Sequence, residues 1–273
     1  MDNGGQARQQ LPHHLTLRDD LALAHELADA ADAITLDRFL AADLVVEAKP
    51  DLSPVSDADR AVEQALRDAL ASRRPGDAVL GEEQGESGTG HRRWVLDPID
   101  GTKNYVRGVP VWATLIALQD QGEVSVGVVS APALGRRWWA GRGLGAHTGG
   151  ALAGARQLRV SAVNDLADAS VAYSSLTGWE EQGRLAGLLQ LSREVWRTRA
   201  YGDFWSHVMV AEGAVDASFE PDVSLWDLAA LQVILQEAGG RFTDLSGAAR
   251  ADGGSAVSSN GLLHDRVLHA LRA

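Results

Sequence analysis

The feature that most constrains this chain is a short apolar run that leads into a tight turn carrying two aspartates. Residues 94–96 predict a buried strand, and Asp97 and Asp100 follow it three residues apart. Pro98 fixes its own φ angle, and Gly101 permits a turn that a side chain would obstruct. Such a turn can aim two carboxylates and a backbone carbonyl at one point, which is the oxygen ligand set that hard divalent cations require.

The same turn has a second interpretation. Asp-Pro and Asp-Gly pairs are common in turns, and an aspartate before a helix is a common N-cap. The Ile99 carbonyl belongs to the turn in either case, and a helix could begin at Thr102, where free backbone N–H groups could contact a phosphate. The segment by itself leaves both interpretations open.

A second acidic segment also follows a predicted strand. Gly81, Glu82 and Glu83 come directly after the apolar residues 78–80. Ligands of layered α/β proteins bind at such strand ends, which favours a functional carboxylate here. A solvated acidic loop is the alternative, because Glu86 lies nearby.

A third acidic segment opens the strongly amphipathic helix predicted for residues 224–238. Asp227 lies three residues after Ser224, so it could complete a capping box and complement the helix dipole. It could equally be a metal ligand from a third segment. The two roles are compatible with each other.

Asp59 has the same ambiguity at the start of an earlier helix. It lies three residues after Ser56, which is again a capping pattern, and it could instead be a more distant or weak third-metal group. Asp57 and Asp59 do not fit an aspartyl-phosphate nucleophile motif, because that motif needs a buried apolar strand directly before it. Residues 54–56 do not predict such a strand.

The net charge of 25 − 37 = −12 bears on the kind of partner. A surface this acidic repels nucleic acid backbones, so nucleic acid is excluded as a general partner. A phosphorylated small molecule would need a local arginine or a bound cation to reverse the field at its site. The chain has no cysteine, which excludes thiolate metal sites and cysteine nucleophiles.

The order of predicted elements favours an α/β (α+β) fold with layered sheets and helices. Two helices at about residues 17–40 and from Ser56 precede strands at 78–80, 94–96, 111–118, 124–129 and 138–140, and residues 141–154 are predicted to be a glycine-rich loop. Strands near 169–174, 195, 214–219 and 255–258 then alternate with helices near 180–192, 204–212, 224–238 and 262–271. No apolar run is long enough to span a bilayer, which indicates a cytoplasmic protein without a membrane partner.

In combination, the three acidic segments resemble the signature of the inositol monophosphatase superfamily. That signature has a Gly-Glu-Glu segment, an Asp-Pro-x-Asp-Gly-Thr segment and a later Trp-Asp pair, which match here residues 81–83, 97–102 and 226–227 in the same order. The resemblance implies a layered αβαβα sandwich that usually forms a homodimer. It also implies two or three Mg²⁺ ions per active site, with these ligands: Glu82, Asp97, the Ile99 carbonyl, Asp100 and Asp227.

The resemblance also implies roles beyond metal binding. Thr102 would orient the attacking water, and Asp59 would assist catalysis. The polar, glycine- and glutamine-rich N-terminus predicts a disordered tail at residues 1–14. The resemblance implies a single phosphatase domain over residues 15–273, with a metal- and phosphate-binding half up to about residue 150 and a substrate-binding half after it. The implied substrate contacts are Glu82, Ile99, Asp100, Gly101, Thr102, Arg199, Asp203, Glu220 and Asp227.

Within the superfamily, three segments resemble the actinobacterial histidinol-phosphatases, which act in histidine biosynthesis. These are residues 49–55, 101–112 and 199–204. Histidinol phosphate carries a cationic amine and an imidazole, so an added acidic group such as Asp203 or Glu220 would complement it. Inositol phosphate or another small sugar or nucleotide phosphate is the alternative substrate, and a non-catalytic metal-binding module or an acidic docking protein are alternative classes.

Overall fold

The computed structural model describes residues 16–50, 52–150 and 153–272, and the predicted tail at residues 1–14 lies outside them. The helices are α1 (Leu17–Arg38), α2 (Asp57–Arg73), α3 (Thr102–Val106), α4 (Leu176–Glu181), α5 (Leu185–Glu194), α6 (Asp203–Ala211), α7 (Leu225–Glu237) and α8 (His264–Leu271). The first strands are β1 (Val46–Ala48), β2 (Pro54–Ser56), β3 (Ala78–Gly81), β4 (Gly85–Ser87), β5 (Arg92–Asp100), β6 (Ala113–Asp120), β7 (Glu123–Ala131) and β8 (Arg136–Gly141). The remaining strands are β9 (Gly145–Gly150), β10 (Ala153–Gln157), β11 (Ser170–Tyr173), β12 (Arg197–Arg199), β13 (Ala217–Glu220), β14 (Arg241–Thr243) and β15 (Ala256–Ser259).

These elements form five layers. An eight-stranded sheet has the order β10-β9-β8-β7-β6-β5-β3-β4, and a five-stranded sheet has the order β12-β11-β13-β15-β14. Helices α1 and α2 pack on the outer face of the large sheet, while α6 and α7 lie between the two sheets. Helices α4, α5 and α8 cover the outer face of the small sheet. The predicted αβαβα sandwich is confirmed.

Local signals place the first two helices where the sequence predicts them. At the start of α2, Ser56 Oγ accepts a hydrogen bond from Asp59 N and Asp59 Oδ2 accepts one from Ser56 N, which is a complete capping box. The same arrangement of Thr16 and Asp19 starts α1. Both helices then bury one stripe against the large sheet, with Leu27 and Leu66 in a common core.

The strands predicted at residues 111–118 and 124–129 are confirmed as β6 and β7, which form a hairpin, but the loop predicted at residues 141–154 is wrong. Gln121 and Gly122 connect β6 to β7 with positive φ angles of 53° and 84°, which suits a tight two-residue turn. Most of residues 141–154, predicted to be a loop, belong instead to β9 and β10. Glycine is needed there because a Cβ at Gly150 would lie 2.0 Å from the Gly135 carbonyl oxygen. The strand therefore uses glycine for close packing.

Three smaller predictions are corrected as well. The helix predicted near residues 180–192 is two helices, α4 and α5, with Gly183 between them at a φ of 66°. Residues 54–56 do form a strand, although it pairs only with β1 and stands apart from the large sheet. Strand β14 lies in a region where the sequence predicted none.

Helix α7 is not amphipathic as predicted, because the fold encloses it. It contacts β5–β9 on one side and β14 on the other, and nearly every side chain in its middle is buried. A helix between two sheets needs apolar residues on both faces, which removes the polar stripe. Its approach to the large sheet depends on Gly127, where a Cβ would lie 2.6 Å from the Ala230 carbonyl oxygen of α7.

In the part of the chain that the structure describes, we find no helix long and apolar enough to cross a bilayer.

We predict that Gly127→Ala destabilises the protein, because the added methyl group would push α7 away from β7. Overpacking of this kind costs about 1–3 kcal/mol of the free energy of unfolding. Equilibrium urea denaturation measures the change. Gly76→Ala is the matched control, since a Cβ there meets nothing within 4 Å. Equal stability of the two variants would contradict the close packing of α7.

Candidate active site and metal centre

Strand β5 carries two of the predicted site residues near its C-terminal end. The sequence predicted that Asp97 and Asp100 follow a strand, and this is wrong, because β5 runs through Asp100. Its pairing with β6 shifts register between the two aspartates, so the strand is distorted there. Pro98 lies inside the distortion, and its carbonyl accepts a 2.7 Å hydrogen bond from Thr114 Oγ1. A register shift, and not the predicted turn, therefore separates Asp97 from Asp100. The chain turns at Gly101, which has a φ of 85°.

Asp97, Asp100 and Asp227 come together as one acidic group. One carboxylate oxygen from each lies within 4.8 Å of the others. Asp227 reaches this point from the start of α7, where its Oδ2 accepts a 2.7 Å hydrogen bond from Ser224 N. Asp227 therefore both completes the capping box of α7 and belongs to the acidic group. Asp100 Oδ2 accepts a 2.6 Å bond from Phe204 N, in the first turn of α6.

Burial and mutual repulsion make this group costly to ionise. Asp97 is 1% exposed, and its pKa is well above the usual value because of burial and then the charges of Glu82, Asp100 and Asp227. Burial likewise raises the pKa of Asp100, and it raises the pKa of Asp227 to about 7. Asp97 Oδ1 is buried with no hydrogen-bond partner among the described residues. An all-oxygen donor set with an unsatisfied buried oxygen fits a hard divalent cation.

Glu82 lies beside this acidic group at the end of β3. Its backbone N donates a 3.2 Å hydrogen bond to Leu96 O, which continues the pairing of β3 with β5. Its carboxylate forms a 2.7 Å ion pair with Lys49, and Lys49 also lies 2.6 Å from Glu83. We did not predict Lys49 as a site residue, although one signal was available. It is one of two lysines in the chain, against 23 arginines.

The turn that carries Glu82 is held by a buried glutamate that the sequence analysis missed. Glu63 of α2 accepts hydrogen bonds from Glu83 N at 2.7 Å and Gln84 N at 3.0 Å, and it pairs with Arg67 at 2.8 Å. A Cβ on Gly81 would lie 2.2 Å from Glu63 Oε1. Gly81 is therefore required so that α2 can approach the end of β3. No sequence signal separates Glu63 from an ordinary helix-surface glutamate.

Thr102 connects the Ile99 carbonyl with Asp59. Its Oγ1 donates to Ile99 O at 2.9 Å and lies 3.4 Å from Asp59 Oδ1. The Ile99 side chain is fully buried in a small core with Tyr105 and Trp112, which fixes the position of its carbonyl. Asp59 both caps α2 and lies at the site, and burial raises its pKa.

Asp203 and Glu220 form a second pair of carboxylates next to the first group. Asp203 is the first residue of α6, in the left-handed region with a φ of 50°, and Glu220 ends β13. Burial and then the charge of Glu220 raise the pKa of Asp203 to about 6. Asn104 Nδ2 donates to Asp203 Oδ2 at 3.3 Å, and a Cβ on Gly101 would lie 3.4 Å from the same oxygen. Helix α6 and the end of strand β13 thus add negative charge next to the first group.

Arg199 is the predicted site residue that the structure leaves apart from these carboxylates. It lies on β12, an edge strand of the small sheet, and its side chain is exposed. Its Nη1 donates a 2.7 Å hydrogen bond to Thr198 O.

Comparisons with known proteins show which family this chain is similar to. The model of the inositol monophosphatase family matches residues 17–273. The chain is 64% identical over 254 residues to a histidinol-phosphatase of Streptomyces coelicolor, covering 92% of this chain and 96% of that protein. It is 59% identical over 256 residues to a histidinol-phosphatase of Mycobacterium tuberculosis, covering 93% and 98%.

Solved structures agree with the sequence comparisons. The structure of a Thermotoga maritima IMPase superimposes with a TM-score of 0.83 at 30% identity, covering 93% of this chain and 97% of that chain. The resemblance predicted from the three acidic segments is confirmed. This chain belongs to the inositol monophosphatase family.

Proposed function

We propose that this chain is a Mg²⁺-dependent phosphomonoesterase that hydrolyses L-histidinol phosphate to L-histidinol and phosphate. The observation that carries the proposal is the group of Asp97, Asp100 and Asp227, with carboxylate oxygens within 4.8 Å of one another. Repulsion makes such a group unfavourable unless a cation joins it. Among the described residues, no lysine, arginine or histidine forms an ion pair with any of these three carboxylates.

The proposed metal ligands are the residues that the family resemblance implies: Glu82, Asp97, the Ile99 carbonyl, Asp100 and Asp227. Mg²⁺ prefers oxygen ligands and is often shared between protein carboxylates and substrate phosphates, which suits this set and two or three ions per site. Bound cations would acidify a water and stabilise the charge on the phosphate and its leaving oxygen. Glu82 would exchange its ion pair with Lys49 for a metal contact.

The other residues of the site position the reacting groups in this proposal. The Thr102 hydroxyl would orient a water towards the phosphate. Asp59, 3.4 Å from that hydroxyl, would accept the hydroxyl proton as Thr102 takes a proton from the water, or would hold the hydroxyl in place. Gly101 leaves space at the turn, so the phosphate could approach the backbone there. Charge in phosphoryl transfer spreads over the phosphate oxygens, so positioning and cations supply most of the catalysis.

The proposed substrate rests on the acidic pair and on the two relatives. Asp203 and Glu220 present negative charge to the alcohol portion of a substrate, and this complements the amine of histidinol phosphate. Two relatives, at 64% and 59% identity, are histidinol-phosphatases. An inositol phosphate has no cationic group for such a pair to recognise, so it stays the alternative.

Further parts of the proposal come from the family resemblance. We propose a homodimer in the cytoplasm, with residues 15–150 binding metal and phosphate and residues 151–273 selecting the substrate. Arg199 would be a substrate contact, and it would have to release the Thr198 carbonyl to act as one.

We predict that the purified protein releases phosphate from L-histidinol phosphate in Mg²⁺ and that a chelator abolishes the release. The kcat/KM for this substrate should exceed that for myo-inositol 1-phosphate by about tenfold or more, because one charged hydrogen bond contributes about that factor. A colorimetric phosphate assay at matched substrate concentrations measures both. A preference for myo-inositol phosphate would contradict the proposed substrate, and activity that survives the chelator would contradict the metal.

We predict that Asp97→Asn lowers kcat on the order of a thousandfold at saturating Mg²⁺, because it removes a central metal ligand. The same change should raise the melting temperature of the metal-free protein. Because the folded state raises the pKa of Asp97, ionisation costs the folded protein stability as pH rises above the unfolded value of about 4. The gain from Asp97→Asn should therefore be larger at pH 8 than at pH 5.

Thermal unfolding with and without Mg²⁺ at both pH values measures these effects. Asp68→Asn, on the exposed face of α2, is the control and should change neither activity nor the Mg²⁺-induced shift. Near-normal turnover by Asp97→Asn would rule out the proposed ligand set.

A further inference from the structure

A buried histidine lies directly behind the substrate side of the site. His207 of α6 is 1% exposed, and both of its ring nitrogens have partners. Nε2 lies 2.8 Å from Glu220 Oε1, and Nδ1 lies 2.7 Å from Ser258 Oγ on β15. The three side chains form a continuous chain of hydrogen bonds from the core of the small sheet to the site. The proposed function uses Glu220 but assigns nothing to His207.

The direction of each hydrogen bond follows from the chemistry of the groups. A carboxylate oxygen accepts, so the ring Nε2–H donates to Glu220. The Ser258 hydroxyl can donate or accept, so it satisfies Nδ1 whichever role that nitrogen takes. The ring is therefore anchored at one end by β15 and holds one oxygen of Glu220 at the other.

Glu220 contacts His207 and also lies near the carboxylates of the proposed metal site. Its negative charge is among the causes that raise the pKa of Asp100, Asp203 and Asp227. Only Oε1 is engaged by the histidine, which leaves Oε2 for a ligand. A glutamate side chain has several rotamers, so its direction towards a ligand depends on the group that holds it.

Helix α6 ties this arrangement to the other acidic residue. Asp203 and His207 are four residues apart on α6, which places them on the same face of the helix. One helix thus presents Asp203 directly and orients Glu220 through His207. The backbone N of Phe204, between them, donates to Asp100.

We propose that His207 is a positioning residue that sets the substrate specificity of this enzyme. His207 fixes the Glu220 side chain against α6. It thereby holds Glu220 Oε2 where this oxygen would meet the cationic amine of the substrate's alcohol portion. The His207 ring is hydrogen-bonded to Ser258 and Glu220 and to none of the proposed metal ligands, so in this proposal it governs recognition of the amine and leaves the chemistry at phosphorus unchanged. This inference rests on the proposed function.

A second buried histidine gives a matched control. His264 is fully buried, with Nδ1 2.8 Å from Ser259 Oγ and Nε2 2.9 Å from Thr243 Oγ1. It lies in the same small sheet region as His207 and also uses both ring nitrogens. Its partners are hydroxyl groups rather than a carboxylate of the site. A purely structural role predicts that the two histidines behave alike when each is replaced by phenylalanine.

The experiment compares wild type, His207→Phe, His207→Gln and His264→Phe in saturating Mg²⁺. Steady-state kinetics with L-histidinol phosphate and calorimetric titration with inorganic phosphate are the two readouts. His207→Phe should raise KM by about tenfold or more with a much smaller change in kcat, because a misplaced carboxylate loses one charge-assisted contact. The dissociation constant of phosphate should stay within about twofold of wild type, since the hydrogen-bond partners of His207 are Ser258 and Glu220 and not the proposed metal ligands.

The other variants separate positioning from folding. His207→Gln keeps an N–H donor on a side chain of similar reach, so it should recover much of the KM. His264→Phe should lower the melting temperature without changing KM. Equal KM values for His207→Phe and His264→Phe, or parallel loss of phosphate affinity, would overturn the role of His207. If His207→Phe does not fold, Ser258→Ala decides the matter, because it removes the anchor of the His207 ring without changing Glu220 itself. A wild-type KM in Ser258→Ala would then overturn the role of His207.

The outcome also distinguishes this inference from the proposed function. A wild-type protein that releases no phosphate from L-histidinol phosphate overturns the proposed substrate, and the role of His207 in selecting it is then wrong too. Wild-type activity combined with an unchanged KM in the variants overturns only the role of His207.

Discussion

The repulsion among buried carboxylates is the constraint on which the rest of this structure depends. One carboxylate oxygen from each of Asp97, Asp100 and Asp227 lies within 4.8 Å of the others, and burial raises the pKa of each group. No local segment could hold three such groups together, because each would turn towards water. The fold holds them by drawing one from α7 and two from β5, and by enclosing both elements in apolar layers. Hydrogen bonds from Ser224 N and Phe204 N then fix two of the carboxylates.

An acidic protein that binds an anion needs positive charge at one place only. The net charge of −12 repels phosphate, so cations gathered by the carboxylates would be what attracts it. The proposed substrate has the opposite requirement at its alcohol portion, because Asp203 and Glu220 would present negative charge to its amine. The large sheet carries the proposed metal ligands of β3 and β5, while α6 and strand β13 of the small sheet carry the proposed substrate contacts Asp203 and Glu220. Helices α6 and α7, which lie between the sheets, join the two parts.

Predictions from sequence succeeded where a local rule decides the structure. The capping box at Ser56 and Asp59 and the strand at residues 94–96 both follow from the preferences of neighbouring residues. They failed where the reason for a residue lies in another layer. Glycine in residues 141–154 predicted a loop, because no local signal shows that Gly150 must pass the Gly135 carbonyl. Likewise, α7 was predicted to have a polar face, which a helix between two sheets cannot have.

The sequence by itself determined the layered class of the fold, the family and the residue types at the candidate metal centre, since these follow from short motifs in a fixed order. Only the tertiary structure decided which side chains meet. It joined Lys49 to Glu82, placed Glu63 beneath the turn of β3, and set His207 behind Glu220. It also left Arg199 on an exposed edge strand. These contacts join residues from 13 to 33 positions apart, and a motif records only near neighbours, so packing of the layers had to bring them together.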